Sequence, residues 1–207
     1  MAKSFAHIAE RKAFEITLDS IIKKSQTQDL SEVMLPLVDK VEKIMGDDWE
    51  ASSYEMLRSL AKNPDSKWTH YTQRILREVD PHILKTFLLN AGFEAGFMGY
   101  KTSLKMKKKY GCNIPWIILM DPTTACNLHC TGCWAAEYGH KQSLTFEEMD
   151  KTLTEAKALG THACLFTGGE PLMRKKDIIR LCEKHRDIAF HAFTNGTLID
   201  DEFCKEM

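Results

Sequence analysis

The sequence predicts an α/β fold: three βα units preceded by an all-helical amino-terminal region. Three observations lead there. No strand signal precedes residue 112, and the segments before it read as helices. After Gly111 the texture changes to short apolar runs, each closed by a turn-forming cluster. Those runs then alternate with capped helices, the pattern of parallel strands joined by right-handed crossovers. The reading divides the chain at 1–110, a helical domain, and 111–207, an α/β domain.

In the first half, Phe5, Ile8, Ala9, Ala13, Ile16 and Ile21 are spaced for a helix over 3–24. A second helix is expected from Leu30 to Met45, ended by Gly46, with Pro36 as a kink or early boundary. Ser52-x-x-Glu55 reads as a capping box for a third helix that Asn63-Pro64 stops. A fourth runs from Lys67 to Val79. Asp80 as N-cap and Pro81 at the first helical position open a fifth, through Phe93. Gly92, Gly96 and Gly99 lie late in it and indicate close helix packing, with a small-residue face for a partner or apolar substrate as the alternative. Lys101, Lys105 and Lys107 to Lys109 then complement a helix carboxyl end; a membrane-surface contact is the other reading.

In the second half, Ile114 to Met120 reads as a buried strand, and Asp121-Pro122 leads it into a cysteine-bearing loop. Thr145-x-x-Glu148 is a capping box opening a helix that Gly160 closes. Thr161 to Thr167 is the next strand, followed by Gly168-Gly169-Glu170-Pro171. Lys175 to Arg186 is a helix, Ile188 to Thr194 a third strand ending at Asn195-Gly196, and Asp200 caps a last helix. Asn195-Gly196 is common in hairpins, but the helix signal after it argues for a βα loop. Ligands of a parallel βα array sit at the carboxyl ends of the strands. The three turns after the three strands therefore share one face.

Composition narrows the function classes. The chain has 207 residues, 43% hydrophobic and 28% charged, with a net charge of −1; that is a globular profile, and no nucleic-acid partner is indicated. Met1 to Phe5 leads into mixed polar sequence rather than a short apolar core, so no secretory signal is expected. No apolar run is long enough to span a bilayer. Of seven cysteines, three cluster and Cys112, Cys164, Cys182 and Cys204 are scattered. This fits a reducing, cytoplasmic setting with a metal site better than a disulfide framework. His140, His162, His185 and His191 read as surface or core histidines rather than ligands.

The cluster is Cys126-Asn-Leu-His-Cys130-Thr-Gly-Cys133. A C-x3-C-x2-C loop offers three thiolates, enough for three irons of a four-iron cluster, leaving the fourth open. Structural zinc usually takes four protein ligands, and no second cysteine pair is present. With Thr167-Gly168-Gly169-Glu170-Pro171 after the next strand, the pattern resembles the radical S-adenosylmethionine (radical SAM) superfamily over residues 113–207. The family places an aromatic residue just before the third cysteine; here Gly132 stands there and Trp134 follows the cysteine. Trp134 either substitutes for that contact to adenine or packs beneath the loop.

The resemblance implies the first three βα units of a partial radical SAM barrel. It also implies a 4Fe–4S cluster on Cys126, Cys130 and Cys133, with S-adenosylmethionine on the open iron. In such enzymes a reduced cluster cleaves S-adenosylmethionine to methionine and a 5′-deoxyadenosyl radical, which abstracts hydrogen from a substrate, here unidentified. The family's Gly-Gly-Glu turn binds the methionine end, which assigns Gly168, Gly169, Glu170 and Pro171 to the cofactor. The glycines allow close approach of a ligand to the main chain. Thr194 and Asn195 join them as contacts from the third loop. An electron donor such as a flavodoxin or ferredoxin is the implied partner, and the reaction class is oxidoreductase or transferase. The alternative is a non-catalytic iron–sulfur module for electron transfer or redox sensing. Family cores have six such units, so the sequence is expected to be carboxy-terminally truncated. It should leave a bare edge on the third strand and by itself turn over slowly or not at all.

Overall fold

The computed structural model describes residues 4–135, 139 and 141–207. The chain divides into two compact units, Met1–Leu89 and Asn90–Met207. The division falls earlier than the change in sequence texture at residue 110.

The first unit is helical: α1 (Phe5–Ser25), α2 (Leu30–Met45), α3 (Ala51–Lys62), α4 (Lys67–Glu78) and α5 (Pro81–Leu88). Its packing centres on Ile22, Leu30, Leu76 and Leu84, with Met34, Ile75, Val79 and Leu88 against them. The carboxyl end of α1 is tied to α4, because Gln26 Nε2 donates to Leu76 O at 2.9 Å and Arg77 Nε to Ser25 O at 3.0 Å. Pro36 lies within α2 without ending it. The expected capping box at Ser52 is absent. Helix α3 begins one residue earlier, at Ala51, and the Ser52 hydroxyl donates to Glu50 Oε2 at 3.3 Å. Asp80 does cap α5, accepting from the His82 and Ile83 N–H groups. A cleft of about 430 Å³ between α1 and α5 is lined by Asp19, Ile22, Lys23, Gln26, Pro81, His82 and Lys85.

The second unit opens within a π-helix, Leu89–Gly99, that runs into α6 (Tyr100–Tyr110). Both were read as part of the helical half. Their local partners lie instead in the α/β half: Asn90 Nδ2 donates to Ile188 O at 3.1 Å. Gly99 packs directly on Gly160, and a Cβ at either position would strike backbone, 2.7 Å from Glu94 O and 2.7 Å from Ser103 N respectively. Close packing, not a partner face, explains Gly99. Mid-helix π segments of this kind depend on local insertion or packing, which the residue pattern does not encode.

The rest is β1 (Ile118–Met120), α7 (Phe146–Leu159), β2 (Ala163–Phe166), α8 (Lys175–Lys184), β3 (Ala189–Ala192) and α9 (Asp201–Glu206). The three strands form one parallel sheet in the order β1-β2-β3. Leu119 is in register with Leu165, and Leu165 with His191. Met120, Cys164, Phe166, Met149, Leu153, Leu172, Ile178, Leu181 and Ile188 form the core, and Phe190 stacks on Phe166 at 5.5 Å between centroids. The Thr145 capping box on α7 is present, as is the left-handed Gly160 at its end (φ +100°).

Strand β1 is shorter and less buried than expected. Pro115 has no N–H for a ladder, Trp116 is 72% exposed and Leu119 64% exposed. Only Ile118 and Met120 turn toward the core. Among the described residues no helix is long and apolar enough to cross a membrane.

Candidate functional site

The turns after β1, β2 and β3 meet at one edge of the sheet because parallel strands deliver their carboxyl ends to the same side. Hydrogen bonds then tie the three together. The base of the first loop is held by a short antiparallel bridge, Thr123 with Ser143, in which Thr124 N donates to Gln142 O at 2.9 Å and Ser143 Oγ to Thr123 Oγ1 at 2.8 Å. Arg174, paired with Asp177 at 2.7 Å, donates to Leu144 O at 2.8 Å and so clamps the same base from β2's side.

The Gly168-Gly169 turn docks against this base. Gly169 N donates to Thr123 O at 3.1 Å and Glu170 N to Ala125 O at 2.8 Å. Gly168 is left-handed at φ +102°, which favours glycine. A Cβ on Gly169 would lie 2.6 Å from Thr124 O and collide with the Ala125 carbonyl. The close approach expected of a ligand is therefore made by the chain's own backbone, the segment leading into the cysteines.

Glu170 is 1% exposed, and both its carboxylate oxygens accept from protein. Oε1 takes the Leu172 N–H at 2.9 Å and the Thr194 hydroxyl at 2.7 Å; Oε2 takes the Asn195 N–H at 2.8 Å. It fastens the second turn to the third. Pro171 is buried beside it at the start of a short 3-10 turn. Asn195 continues the connection, its Nδ2 donating to Asn127 Oδ1 at 3.0 Å, and Asn127 Nδ2 donating to Thr197 Oγ1 at 2.7 Å. Asn127 and Thr197 were not singled out in the sequence. Their positions, one inside the cysteine motif and one just past Asn195-Gly196, were the available signal.

The cysteine loop itself projects outward. Cys130 is exposed, Cys126 and Cys133 are half-buried, and all three thiols are free. Leu128 N donates to Cys126 Sγ at 3.4 Å, and Cys133 N to Cys130 O at 3.2 Å. Trp134 is 62% exposed. Among the described residues no three His, Cys, Asp or Glu side chains converge as a single metal ion requires. A four-iron cluster makes a different demand, since its three thiolates bind three separate irons. Three free thiols on one exposed loop, backed by a turn whose Gly169 and Glu170 N–H groups bond to the loop base, fit that donor set.

The other cysteines and histidines lie apart from these loops in role. Burial pushes the Cys164 and Cys182 thiols up to about 12. His185, 2% exposed, has its Nε2 2.9 Å from Asp150 Oδ1, and His162 Nδ1 is 3.0 Å from Asp187 O. His140 lies outside the described residues.

Comparison with known proteins bears on the same segment. The radical SAM superfamily model matches residues 120–207. Over 95 residues the chain is 35% identical to the Fe-coproporphyrin III synthase of Methanosarcina barkeri (strain Fusaro / DSM 804), covering 44% of this chain and 24% of that protein. It is 33% identical over 104 residues to a GTP 3′,8-cyclase of Clostridium perfringens (strain 13 / Type A), covering 47% and 32%. With the AdoMet-dependent heme synthase of M. barkeri it shares 29% identity over 99 residues, covering 46% and 28%. The chain thus spans between a quarter and a third of the length of these relatives. No solved structure matches it. Residues 120–207, the segment that matches the radical SAM superfamily model, carry the cysteine loop and the two turns bound to it; members of that superfamily use a 4Fe–4S cluster and S-adenosylmethionine.

Proposed function

We propose that this chain carries the cluster- and cofactor-binding part of a radical SAM enzyme. Cys126, Cys130 and Cys133 hold the 4Fe–4S cluster, and the turns after β2 and β3 receive S-adenosylmethionine. The observation that carries this reading is the fastening of all three strand-end turns to one another, with three free thiols on the loop they support. A module that only carried electrons would have no need of the second and third turns.

When bound, the cluster and S-adenosylmethionine supply reductive carbon–sulfur cleavage and, through it, hydrogen abstraction from a substrate. The chain's own residues bind and orient. With the N–H groups of Gly169 and Glu170 used by the loop base, the ammonium of a methionine moiety is received by carbonyl acceptors of the turn. Glu170 acts as the frame of that turn, its carboxylate engaged by Leu172, Thr194 and Asn195. Trp134, exposed beside Cys133, covers one side of the cofactor in this reading. Reduction requires an external donor such as a flavodoxin or ferredoxin. The porphyrin and nucleotide names of the relatives do not agree on one substrate class, and none is assigned.

The test is an anaerobic assay of the reconstituted, dithionite-reduced chain for 5′-deoxyadenosine. Slow formation that depends on S-adenosylmethionine and on Cys126, Cys130 and Cys133 is the expected result. A stable, reducible cluster that yields none, with methionine also absent, would instead favour the electron-transfer module.

A further inference from the structure

The hydrogen bonds at the strand ends form two linked circuits. The smaller is a ring of three side chains. Asn195 Nδ2 donates to Asn127 Oδ1 at 3.0 Å, Asn127 Nδ2 to Thr197 Oγ1 at 2.7 Å, and the Thr197 hydroxyl to Asn195 Oδ1 at 2.7 Å. Donors and acceptors run head to tail, so each group polarises the next. Asn195 Oδ1 also accepts from Thr197 N at 3.0 Å, which fixes the amide orientation within the ring. The larger circuit passes from Asn195 N to Glu170 Oε2, from Glu170 N to Ala125 O, and along the chain from Ala125 back to Asn127.

Asn127 therefore closes a path that runs through the buried Glu170 carboxylate, backbone groups and the Asn195 amide. It stands next to Cys126, and the following N–H, that of Leu128, is aimed at the Cys126 sulfur at 3.4 Å. Rotation of the Asn127 backbone would move that N–H off the sulfur. Hydrogen bonds to cluster sulfurs, and the charge and exposure around them, set the reduction potential of an iron–sulfur centre. The ring binds residues 68 and 70 positions apart in sequence, so its information is tertiary: it reports to the cysteine loop where the loop after β3 stands.

We infer that Asn127 and Thr197 are positioning residues. The Asn127–Thr197–Asn195 ring sets the orientation of Cys126 and of the N–H that Leu128 directs at its sulfur. The inference concerns the loop in the bare chain, and its bearing on the cluster rests on the proposed function. All three ring residues are solvent-exposed. Water competes for their hydrogen bonds, so the ring contributes little to global stability, and variants that break it should stay folded.

The test uses the full 207-residue chain and two substitutions of Thr197. Thr197→Val removes the hydroxyl while keeping the shape; Thr197→Ser keeps the hydroxyl. In the metal-free chain, the rate of Cys126 alkylation by iodoacetamide is read by mass spectrometry, with exposed Cys112 as internal reference. Loss of two ring hydrogen bonds should speed Cys126 by about fivefold in Thr197→Val, while Thr197→Ser stays within about twofold of the parent. After anaerobic reconstitution, Thr197→Val should also shift the reduction potential and EPR line shape of the cluster, and Thr197→Ser should restore both. An unchanged Cys126 rate in Thr197→Val overturns the inference. Equal acceleration in both variants does so as well, because a methyl contact rather than the ring would then be responsible. If the alkylation pattern holds but the parent chain takes up no iron, the positioning role stands and the proposed function falls.

Discussion

The Glu170 carboxylate accepts the Asn195 N–H at 2.8 Å from a position 1% exposed, and so couples the turn after β2 to the turn after β3. The same carboxylate takes the Thr194 hydroxyl and the Leu172 N–H. Glu170→Ala would leave three donors without their acceptor. Each buried orphan costs about 1–3 kcal/mol, partly recovered by water at the half-buried Thr194 and the exposed Asn195, so a loss of about 2–4 kcal/mol is expected in chemical denaturation. Glu170→Gln should fall between, since its amide can still accept on one side but presents a donor to another.

Gly169→Val should disturb the cysteine loop as well as any ligand. Its side chain would collide with the Thr124 and Ala125 carbonyls, and backbone there cannot yield without moving the residues that precede Cys126. Reduced iron uptake on reconstitution is expected alongside weaker S-adenosylmethionine binding. Normal iron content with only the binding affected would show that the space over Gly169 serves the ligand alone.

These two residues also show how far the sequence reached. The Cys126–Cys133 loop, the Gly-Gly-Glu turn and the Thr145 and Asp80 caps are local patterns, and local patterns carry their own geometry. The carboxylate of Glu170 was read as facing a ligand because nothing near it in sequence shows that Thr194 and Asn195 will reach it first. Asn127 was overlooked for the same reason, as its partners are supplied by the fold. The Ser52 capping box failed because Glu50 already stood at the N-cap, two residues before it. The length of β1 was overestimated because an apolar run does not say where Pro115 takes it out of the ladder, nor that Leu119 faces solvent.

Thiol reactivity should sort by burial. Burial raises Cys164 and Cys182 to about 12, leaving them protonated at pH 8. In the metal-free native chain, iodoacetamide should label Cys112, Cys126, Cys130, Cys133 and Cys204, and spare Cys164 and Cys182 until denaturant is added. Peptide mass spectrometry distinguishes the two groups. Reconstitution should then add protection at Cys126, Cys130 and Cys133 alone.

Acid should destabilise the α7–α8 contact. Burial, opposed by the hydrogen bond to Asp150, holds His185 below its ordinary 6.5. The unfolded chain therefore binds the proton more readily. The contribution is complete above about pH 6.5 and is lost as pH falls through the lowered folded value. Asp150 is also held below its ordinary 3.8, its burial outweighed by Lys184 and His185, so its contribution is lost only at lower pH. Thermal unfolding midpoints should drop between pH 7.5 and 5, and His185→Gln should flatten that slope. A slope unchanged by the substitution would place the titration elsewhere.

In the proposed reading Cys126, Cys130 and Cys133 hold a four-iron cluster with one iron open to S-adenosylmethionine. The direct measurement is EPR of the anaerobically reconstituted, dithionite-reduced chain, recorded before and after adding S-adenosylmethionine, with iron determined on the same sample. About four irons per chain are expected, with a reduced-cluster signal whose g-values move on addition of the cofactor, and loss of both iron and signal in Cys130→Ala. Stoichiometric zinc in place of iron, or a cluster signal indifferent to S-adenosylmethionine, would contradict it.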